Sequence, residues 1–210
     1  MKNNDIYTYD YSQPEDYRFS LDSVFLAQSV AKHYQDQDLT NFKALDVCSG
    51  CGVVGLELNF HLKTLAKIDF LEVQEIYREH FNLNIKQTHT PHSEFNLLLS
   101  NYDVLLKEEF SQQYDLIVSN PPYFFKNEGL LSPNEFKNRC RFFLDSDFKN
   151  LINGIYNALK INASAFILLR PGTHHGRDLM DETRKILELK AHVELFDEVR
   201  GTNVVRIKKL

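Results

Sequence analysis

Apolar residues in this chain gather into short runs that are separated by polar or glycine-containing segments. Runs of this kind, rich in Val, Ile, Leu and Phe, are typical of parallel strands that are buried on both faces. Between them, apolar residues recur at helical spacing. The pattern predicts strands at 42–48, 67–71, 95–99, 114–119 and 164–169, helices at 24–34, 53–58, 148–159 and 178–189, and a closing hairpin of 192–199 and 203–208. Alternating strands and helices predict a doubly wound α/β fold, with a seven-stranded, mostly parallel sheet and one antiparallel strand in the C-terminal hairpin.

Size and composition are consistent with one domain. The chain has 210 residues, of which 43% are hydrophobic and 25% charged, so we expect a single domain over 1–210. It contains no run of 18 apolar residues, and we expect a cytoplasmic protein without a membrane partner. Three cysteines do not make a disulfide framework. Cys48-Ser49-Gly50-Cys51 has no second ligand pair nearby, so we expect no metal.

A glycine-rich turn follows the first predicted strand. Gly50, Gly52 and Gly55 satisfy G-x-G-x-x-G, a spacing that lets a ligand approach the backbone and lets a helix pack on a strand. Glu72 ends the second strand, 20 positions beyond Gly52, where a carboxylate can accept from ribose hydroxyls. Asp103 follows the third strand and can accept from an adenine amino group. These acceptors suit a nucleoside ligand, either a nicotinamide dinucleotide or S-adenosylmethionine.

Asn120-Pro121-Pro122-Tyr123 closes the fourth strand, at the edge where open α/β sheets bind ligands. A planar NH2 group is a poor nucleophile because its lone pair is delocalised. The side-chain oxygen of Asn120 and the backbone oxygen of Pro121 can accept hydrogen bonds from such a group, while Tyr123 offers a stacking face. The prolines stiffen the turn. The tetrapeptide alone is equally compatible with an ordinary proline turn.

Taken together, these motifs resemble the class I S-adenosylmethionine-dependent amino-methyltransferases, whose fold is Rossmann-like, and in particular the bacterial tRNA1(Val) adenine-37 N6-methyltransferase family. The resemblance implies S-adenosylmethionine as cofactor and the Asn120–Tyr123 tetrapeptide as the catalytic motif. It also implies a set of cofactor-binding residues, namely Phe19, Asp22, Asp46, Cys48, Gly50, Gly52, Glu72, Val73, Asp103, Val104 and Asn120.

The N-terminal segment carries a further part of the resemblance. Residues 17–27 are similar to a stretch that precedes the first helix in that family and closes over the cofactor, and we therefore expect residues 1–40 to cover the site. The plain alternative is that Ser20, Asp22 or Ser23 caps the helix at 24–34.

The sequence is compatible with several methyl acceptors. The resemblance implies N6 methylation of an adenine in RNA, in particular adenine 37 of a tRNA anticodon loop. Phe124, Arg139, Arg141 and Arg170 are candidate substrate-binding residues. The net charge argues against an RNA substrate, since 24 basic and 29 acidic residues give −5, whereas phosphate binding usually requires basic residues. The same tetrapeptide also suits a glutamine side chain, adenine in DNA or guanine N2 in RNA, and a non-catalytic cofactor-binding scaffold stays open.

Overall fold

The computed structural model describes residues 6–65, 67–88 and 93–210, so the first five residues of the expected 1–40 covering segment lie outside it. Its helices are Asp22–Tyr34 (α1), Val53–His61 (α2), Tyr77–Ile85 (α3), Glu135–Arg141 (α4), Phe148–Ala158 (α5) and Leu179–Ile186 (α6). Its strands are Lys43–Val47 (β1), Lys67–Glu72 (β2), Glu94–Leu99 (β3), Tyr114–Ser119 (β4), Phe124–Phe125 (β5), Phe142–Phe143 (β6), Leu159–Leu169 (β7), Ala191–Val199 (β8) and Thr202–Lys209 (β9).

Seven of these strands form one twisted sheet in the order β3-β2-β1-β4-β7-β9-β8. The pairs from β3 to β7 are parallel, whereas β9 runs antiparallel to both β7 and β8. This arrangement confirms the predicted sheet. The strand order reverses between β1 and β4, and ligands of open α/β sheets bind beyond the carboxyl ends of the strands at such a reversal.

Helices cover both faces of the sheet. Neighbouring residues of a strand point to opposite sides, so the apolar residues of one strand contribute to two clusters. On one face, Ala44 belongs to an apolar cluster with residues of α1, α2 and α3. On the other face, Leu45 packs in a second cluster with Leu151 and Ile155 of α5. Strands buried in this way read as continuous apolar runs, and the sequence pattern therefore predicted them.

The segment before α1 is held to the outside of α2 and α3 by buried polar groups. The carboxylate of Glu57 accepts hydrogen bonds from the Thr8 amide (2.8 Å), the Thr8 hydroxyl (2.9 Å) and the Tyr11 hydroxyl (2.8 Å). The buried Asn84 side chain accepts from the Ser12 amide at 2.7 Å and donates to the backbone oxygens of Ser12 and Cys51, each at 2.9 Å. Asn84 therefore links the N-terminal segment directly to the glycine-rich turn.

The region between β4 and α5 forms short elements, although the sequence pattern predicts no strand or helix there. It contains β5, α4 and β6, and the two short strands pair in parallel through Phe124 with Phe142 and Phe125 with Phe143. Asn134 begins α4 by accepting a hydrogen bond from the Lys137 amide at 3.0 Å. Across the described part of the chain, no helix has the length and apolar character needed to cross a membrane.

Candidate active site

A cavity lies beyond the carboxyl ends of β1, β2 and β4, at the point where the strand order reverses. Its empty space is about 1230 Å³, including the open mouth. The N-terminal segment, the glycine-rich turn, the tetrapeptide and the end of α4 contribute its walls. The predicted site residues that line it are Phe19, Cys48, Gly50, Glu72, Val73, Asn120, Pro121, Pro122, Tyr123, Phe124, Arg139 and Arg141.

The glycine-rich turn has three residues with left-handed backbone conformation, Cys48 (φ 59°), Gly50 (φ 54°) and Gly52 (φ 90°). Glycine adopts this conformation freely, whereas a residue with a Cβ atom is strained by roughly 1–2 kcal/mol. Cys48 is thus the strained position of the turn. Burial raises the pKa of its thiol well above the ordinary value, so the side chain lines the cavity as a neutral group.

Asp46 supports this turn from below rather than lining the cavity. Its side chain is fully buried, and one carboxylate oxygen accepts from the Gly55 amide at 2.9 Å. The other oxygen, Oδ1, has no hydrogen-bond partner among the described residues. Burial raises the pKa of Asp46 to about 7. Asp46 is not among the residues that line the cavity, and the cofactor contact that the resemblance implies stays a prediction.

Glu72 ends β2 at the cavity wall. Its carboxylate accepts from the backbone amides of Gly50 (2.8 Å), Val73 (2.9 Å) and Gln74 (2.8 Å). Burial raises the pKa of this carboxyl group, while the three amide hydrogen bonds act in the opposite direction. An ionised carboxylate offers about four lone-pair sites, so one acceptor position is left for a ribose hydroxyl.

The tetrapeptide follows β4 and faces the cavity. Ser119 fixes the end of the strand by donating its hydroxyl proton to the backbone oxygen of Val47 at 2.8 Å. Asn120 Oδ1 accepts from the Tyr123 hydroxyl at 2.7 Å, and Asn120 Nδ2 donates to Ser23 Oγ at 2.9 Å. Burial raises the pKa of Tyr123, which keeps the phenol protonated and able to donate. The second lone pair of Asn120 Oδ1 is then available to an acceptor amine.

Aromatic rings and arginines form the rim beside Tyr123. The guanidinium groups of Arg141 and Arg170 lie 5.5 and 4.7 Å from the ring centroid of Phe124, whose ring is 5.5 Å from that of Phe142. Neither arginine forms an ion pair with a described carboxylate. Arg139 differs, because its guanidinium pairs with Asp145 at 2.8 Å. Arg170 instead lies 2.8 Å from His174 Nδ1 through Nη2, a neutral partner when the imidazole is unprotonated, so Arg141 and Arg170 are rim cations whose charge no described carboxylate neutralises.

Four other predicted cofactor contacts do not line the cavity, namely Asp22, Gly52, Asp103 and Val104. Asp103 belongs to a 3-10 turn capped by Asn101, and its carboxylate accepts from the Ser146 hydroxyl at 2.6 Å. Neither Asp103 nor its neighbour Val104 lines the cavity, whereas Ser100 and Tyr102 do. The Asp22 carboxylate pairs with Arg200 at 3.0 Å instead.

Several lining residues were missing from the sequence-based prediction, namely Gln13, Ser23, Ser49, Gln74 and Asp145. Ser49 lies within the recognised turn, and its buried hydroxyl oxygen has no hydrogen-bond partner among the described residues. Ser23 belongs to the 17–27 stretch, where the sequence suggested only a helix cap. Gln13, Gln74 and Asp145 come from segments that carry no motif, and only the folded chain brings them here.

The donors and acceptors of the cavity fit S-adenosylmethionine. The left-handed turn exposes backbone to a ligand, Glu72 keeps one acceptor position for a ribose, and the Ser49 hydroxyl lacks a partner. Fold and cavity together define a class I S-adenosylmethionine-dependent methyltransferase, with S-adenosylmethionine as its cofactor.

Comparison with known families agrees with this class. The family model described as "Lysine methyltransferase" matches residues 20–126, just over half of the chain, and the chain belongs to this methyltransferase family.

Among curated relatives, the chain is 25% identical over 197 residues to the tRNA1(Val) (adenine(37)-N6)-methyltransferase of Christiangramia forsetii, a match that covers 91% of the chain and 75% of the relative. It is 30% identical over 115 residues to the release factor glutamine methyltransferase of Clostridium acetobutylicum, which covers 51% of the chain but 36% of the relative. Its match to a Bacteroides fragilis tRNA1(Val) (adenine(37)-N6)-methyltransferase, at 27% identity, spans 60% of the chain and 52% of that relative.

Solved structures support the fold. TrmN from Thermus thermophilus superposes with a TM-score of 0.60 at 18% identity, over 90% of the chain and 49% of TrmN. A putative RNA methyltransferase from Pyrococcus horikoshii superposes with a TM-score of 0.61 at 12% identity, over 96% of the chain and 90% of that protein.

Proposed function

We propose that this protein transfers a methyl group from S-adenosylmethionine to the exocyclic N6 amine of an adenine in RNA, namely adenine 37 in a tRNA anticodon loop. The observation that carries the proposal is the position of Asn120–Tyr123 on the cofactor cavity, directly beside the rim of Phe124, Arg141 and Arg170. Such a protein would act in the cytoplasm.

The tetrapeptide supplies hydrogen-bond acceptors for a planar NH2 group. Asn120 Oδ1 has one lone pair engaged by Tyr123 and one free, and the backbone oxygen of Pro121 lies next in the chain. Two acceptors on the two amine protons direct the nitrogen lone pair away from the ring system and stabilise the positive charge that builds on nitrogen. They also hold the amine in one orientation, which contributes to the rate by itself.

When bound, S-adenosylmethionine supplies a sulfonium methyl group, whose carbon–sulfur bond breaks as the bond to the acceptor nitrogen forms. The methylated nitrogen is strongly acidic while it is cationic, so its proton can pass to water. Asn120 and Pro121 therefore need only to accept hydrogen bonds and not to act as strong bases.

The rim favours a nucleic acid over a peptide as acceptor. A flipped base can stack on Tyr123, with Phe124 beside it, because base–aromatic stacking accepts any base. Arg141 and Arg170 carry positive charge without a described carboxylate partner, and phosphates next to the target base can pair with these guanidinium groups. An unpaired loop base also costs less to extrude than a base in a duplex.

The curated relatives include enzymes with other methyl acceptors. The glutamine methyltransferases among them act on a side-chain amide, which offers the same NH2 geometry, and the family description names lysine. A lysine amine is not planar and its lone pair is not delocalised, so the Asn-Pro-Pro-Tyr acceptors suit it less well. The noncatalytic scaffold would bind cofactor without any transfer.

The acceptor can be identified by transferring labelled methyl groups into RNA, DNA and protein fractions from cells that lack the gene. Nucleoside mass spectrometry on the labelled pool then identifies the product. We expect N6-methyladenosine in the tRNA fraction. Labelled glutamine or lysine in protein, N6-methyladenine in DNA, or cofactor binding without transfer to any fraction would each refute the proposal.

A further inference from the structure

The first turn of α1 reaches across the cavity to the catalytic tetrapeptide. Ser23 is 6% exposed, and its hydroxyl oxygen accepts the hydrogen bond from Asn120 Nδ2 at 2.9 Å, across 97 positions of sequence. At the start of α1 the Leu21 side chain makes no capping hydrogen bond, and the Asp22 amide donates to Ser20 Oγ at 3.2 Å, so the Ser23 hydroxyl does not serve the helix end. Resting on the proposed function, we infer that Ser23 is a positioning residue that sets the orientation of the Asn120 amide.

Orientation matters because the two ends of an amide have opposite hydrogen-bonding character. The terminal torsion of asparagine is broad and roughly two-fold, so an amide with one partner samples a wide range of angles. With both partners in place, Nδ2 points to Ser23 while Oδ1 stays beside Tyr123. Rotation of the amide by half a turn would present an NH2 group to an acceptor amine that is itself a donor.

The position of Ser23 is fixed in turn by the C-terminal hairpin. Its neighbour Asp22 pairs with Arg200 Nε at 3.0 Å and accepts from the Thr202 hydroxyl at 3.4 Å. Both partners belong to the β8–β9 turn and the strand that follows it. The Ser23 backbone amide also donates to the Ser20 oxygen at 3.0 Å. These contacts hold the first turn of α1 against the tetrapeptide, and the contact of Asp22 with the cofactor stays a prediction.

Removal of the hydroxyl should slow methyl transfer more than it weakens cofactor binding. In Ser23→Ala, the amide loses one of its two anchors, and we expect a fall in kcat of roughly 10- to 100-fold, since small displacements of a catalytic group have effects of that size. The Kd for S-adenosylmethionine should change by less than about threefold. Ser23→Thr retains a hydroxyl and should recover most of the rate.

The matched control is Ser29→Ala, because it makes the same substitution in the same helix. The Ser29 hydroxyl donates to Asp197 of β8, away from the cavity, so this variant should retain wild-type kcat. Loss of kcat in Ser29→Ala equal to that in Ser23→Ala would indicate a general effect on α1 and would overturn the inference.

A double variant tests whether Ser23 acts through Asn120. If it does, Ser23→Ala should have no further effect in an Asn120→Ala background, because the group that it positions is gone. Multiplicative losses would overturn the inference. Wild-type kcat in Ser23→Ala, combined with a slow Asn120→Ala, would overturn it while leaving the proposed function intact. Wild-type kcat in both single variants would refute the two together.

Discussion

Among the glycines, Gly55 is the position where the structure leaves least room for a side chain. A Cβ atom added there would lie 2.4 Å from Phe70 Cε1 and 2.8 Å from Phe70 Cζ. The Phe70 ring is fully buried, with the Phe81 ring centroid at 4.7 Å and that of Phe95 at 5.9 Å, so it has no free space into which to move. Gly55→Ala must therefore separate helix α2 from the sheet beneath it.

The expected net loss is about 1–3 kcal/mol in the free energy of unfolding. Overpacking of a well-filled core typically costs about 1–3 kcal/mol, and an overlap of this depth against a fixed ring lies at the upper end. Alanine is favoured over glycine inside a helix by up to about 1 kcal/mol, which offsets part of that cost. Urea unfolding followed by far-UV circular dichroism measures the difference, and the chain contains no tryptophan to serve as an alternative probe.

Two further variants make the test specific. Gly129→Ala is the control, because its Cβ would meet Phe142 at 3.5 Å, an ordinary contact, and stability should stay within about 1 kcal/mol of wild type. Phe70→Leu removes the obstructing ring, so Gly55→Ala should cost less in that background, with a coupling of about 0.5–3 kcal/mol. A Gly55→Ala protein as stable as wild type, or strictly additive losses, would refute the packing argument.

Three other predictions concern the site. Because burial raises the pKa of Asp46 from 3.8 to about 7, the folded state binds the Asp46 proton more tightly than the unfolded chain does, and the free energy of unfolding should fall as pH rises from about 4 to about 7. In urea titrations, Asp46→Asn should remove up to about 4 kcal/mol of that fall. The same pH dependence in Asp46→Asn and wild type would contradict a raised pKa for Asp46. Cys48→Gly should be more stable than Cys48→Ala by about 1 kcal/mol, since relief of the left-handed strain exceeds the entropy cost of glycine; equal unfolding midpoints would show that Cys48 is not strained. If Arg141 and Arg170 contact two phosphates, tRNA affinity should fall roughly sevenfold between about 50 and about 200 mM salt. Glutamine at both positions should abolish that salt dependence in filter-binding titrations. The same dependence of affinity on salt in the double variant and wild type would show that the RNA binds elsewhere.

The sequence predicted the strands of the sheet well, because strands buried on both faces leave continuous apolar runs. β4 was predicted with its observed bounds, Tyr114–Ser119. Helix α3 was missed, since Tyr77–Ile85 buries only Tyr77, Phe81 and Asn84, and its other apolar residues, Leu83 and Ile85, stand among polar ones and are not fully buried. Helix α4 was missed for a similar reason, because its single buried residue is the polar Asn138.

Motifs that lie within one segment predicted part of the cavity wall. Contacts between distant segments were not predicted. Gly50 lies in the turn after β1 and Glu72 is the last residue of β2, so the strand ends alone placed them at the cavity. Asp103 also follows a strand, but the 3-10 turn capped by Asn101 directs it to Ser146. Nothing in the local sequence of Ser23 indicates a contact with Asn120, which only the packing of α1 creates.

The most direct test of the account is the single-turnover rate of methyl transfer to unmodified tRNA by Asn120→Ala, measured together with the Kd for S-adenosylmethionine. If Asn120 accepts a hydrogen bond from the reacting amine, the rate should fall by about 100-fold or more, as when one preorganised hydrogen-bonding group is removed from an active site, while the Kd changes by less than about threefold. A rate equal to that of wild type, or losses of the same size in rate and affinity, would contradict a catalytic role for the Asn120–Tyr123 tetrapeptide.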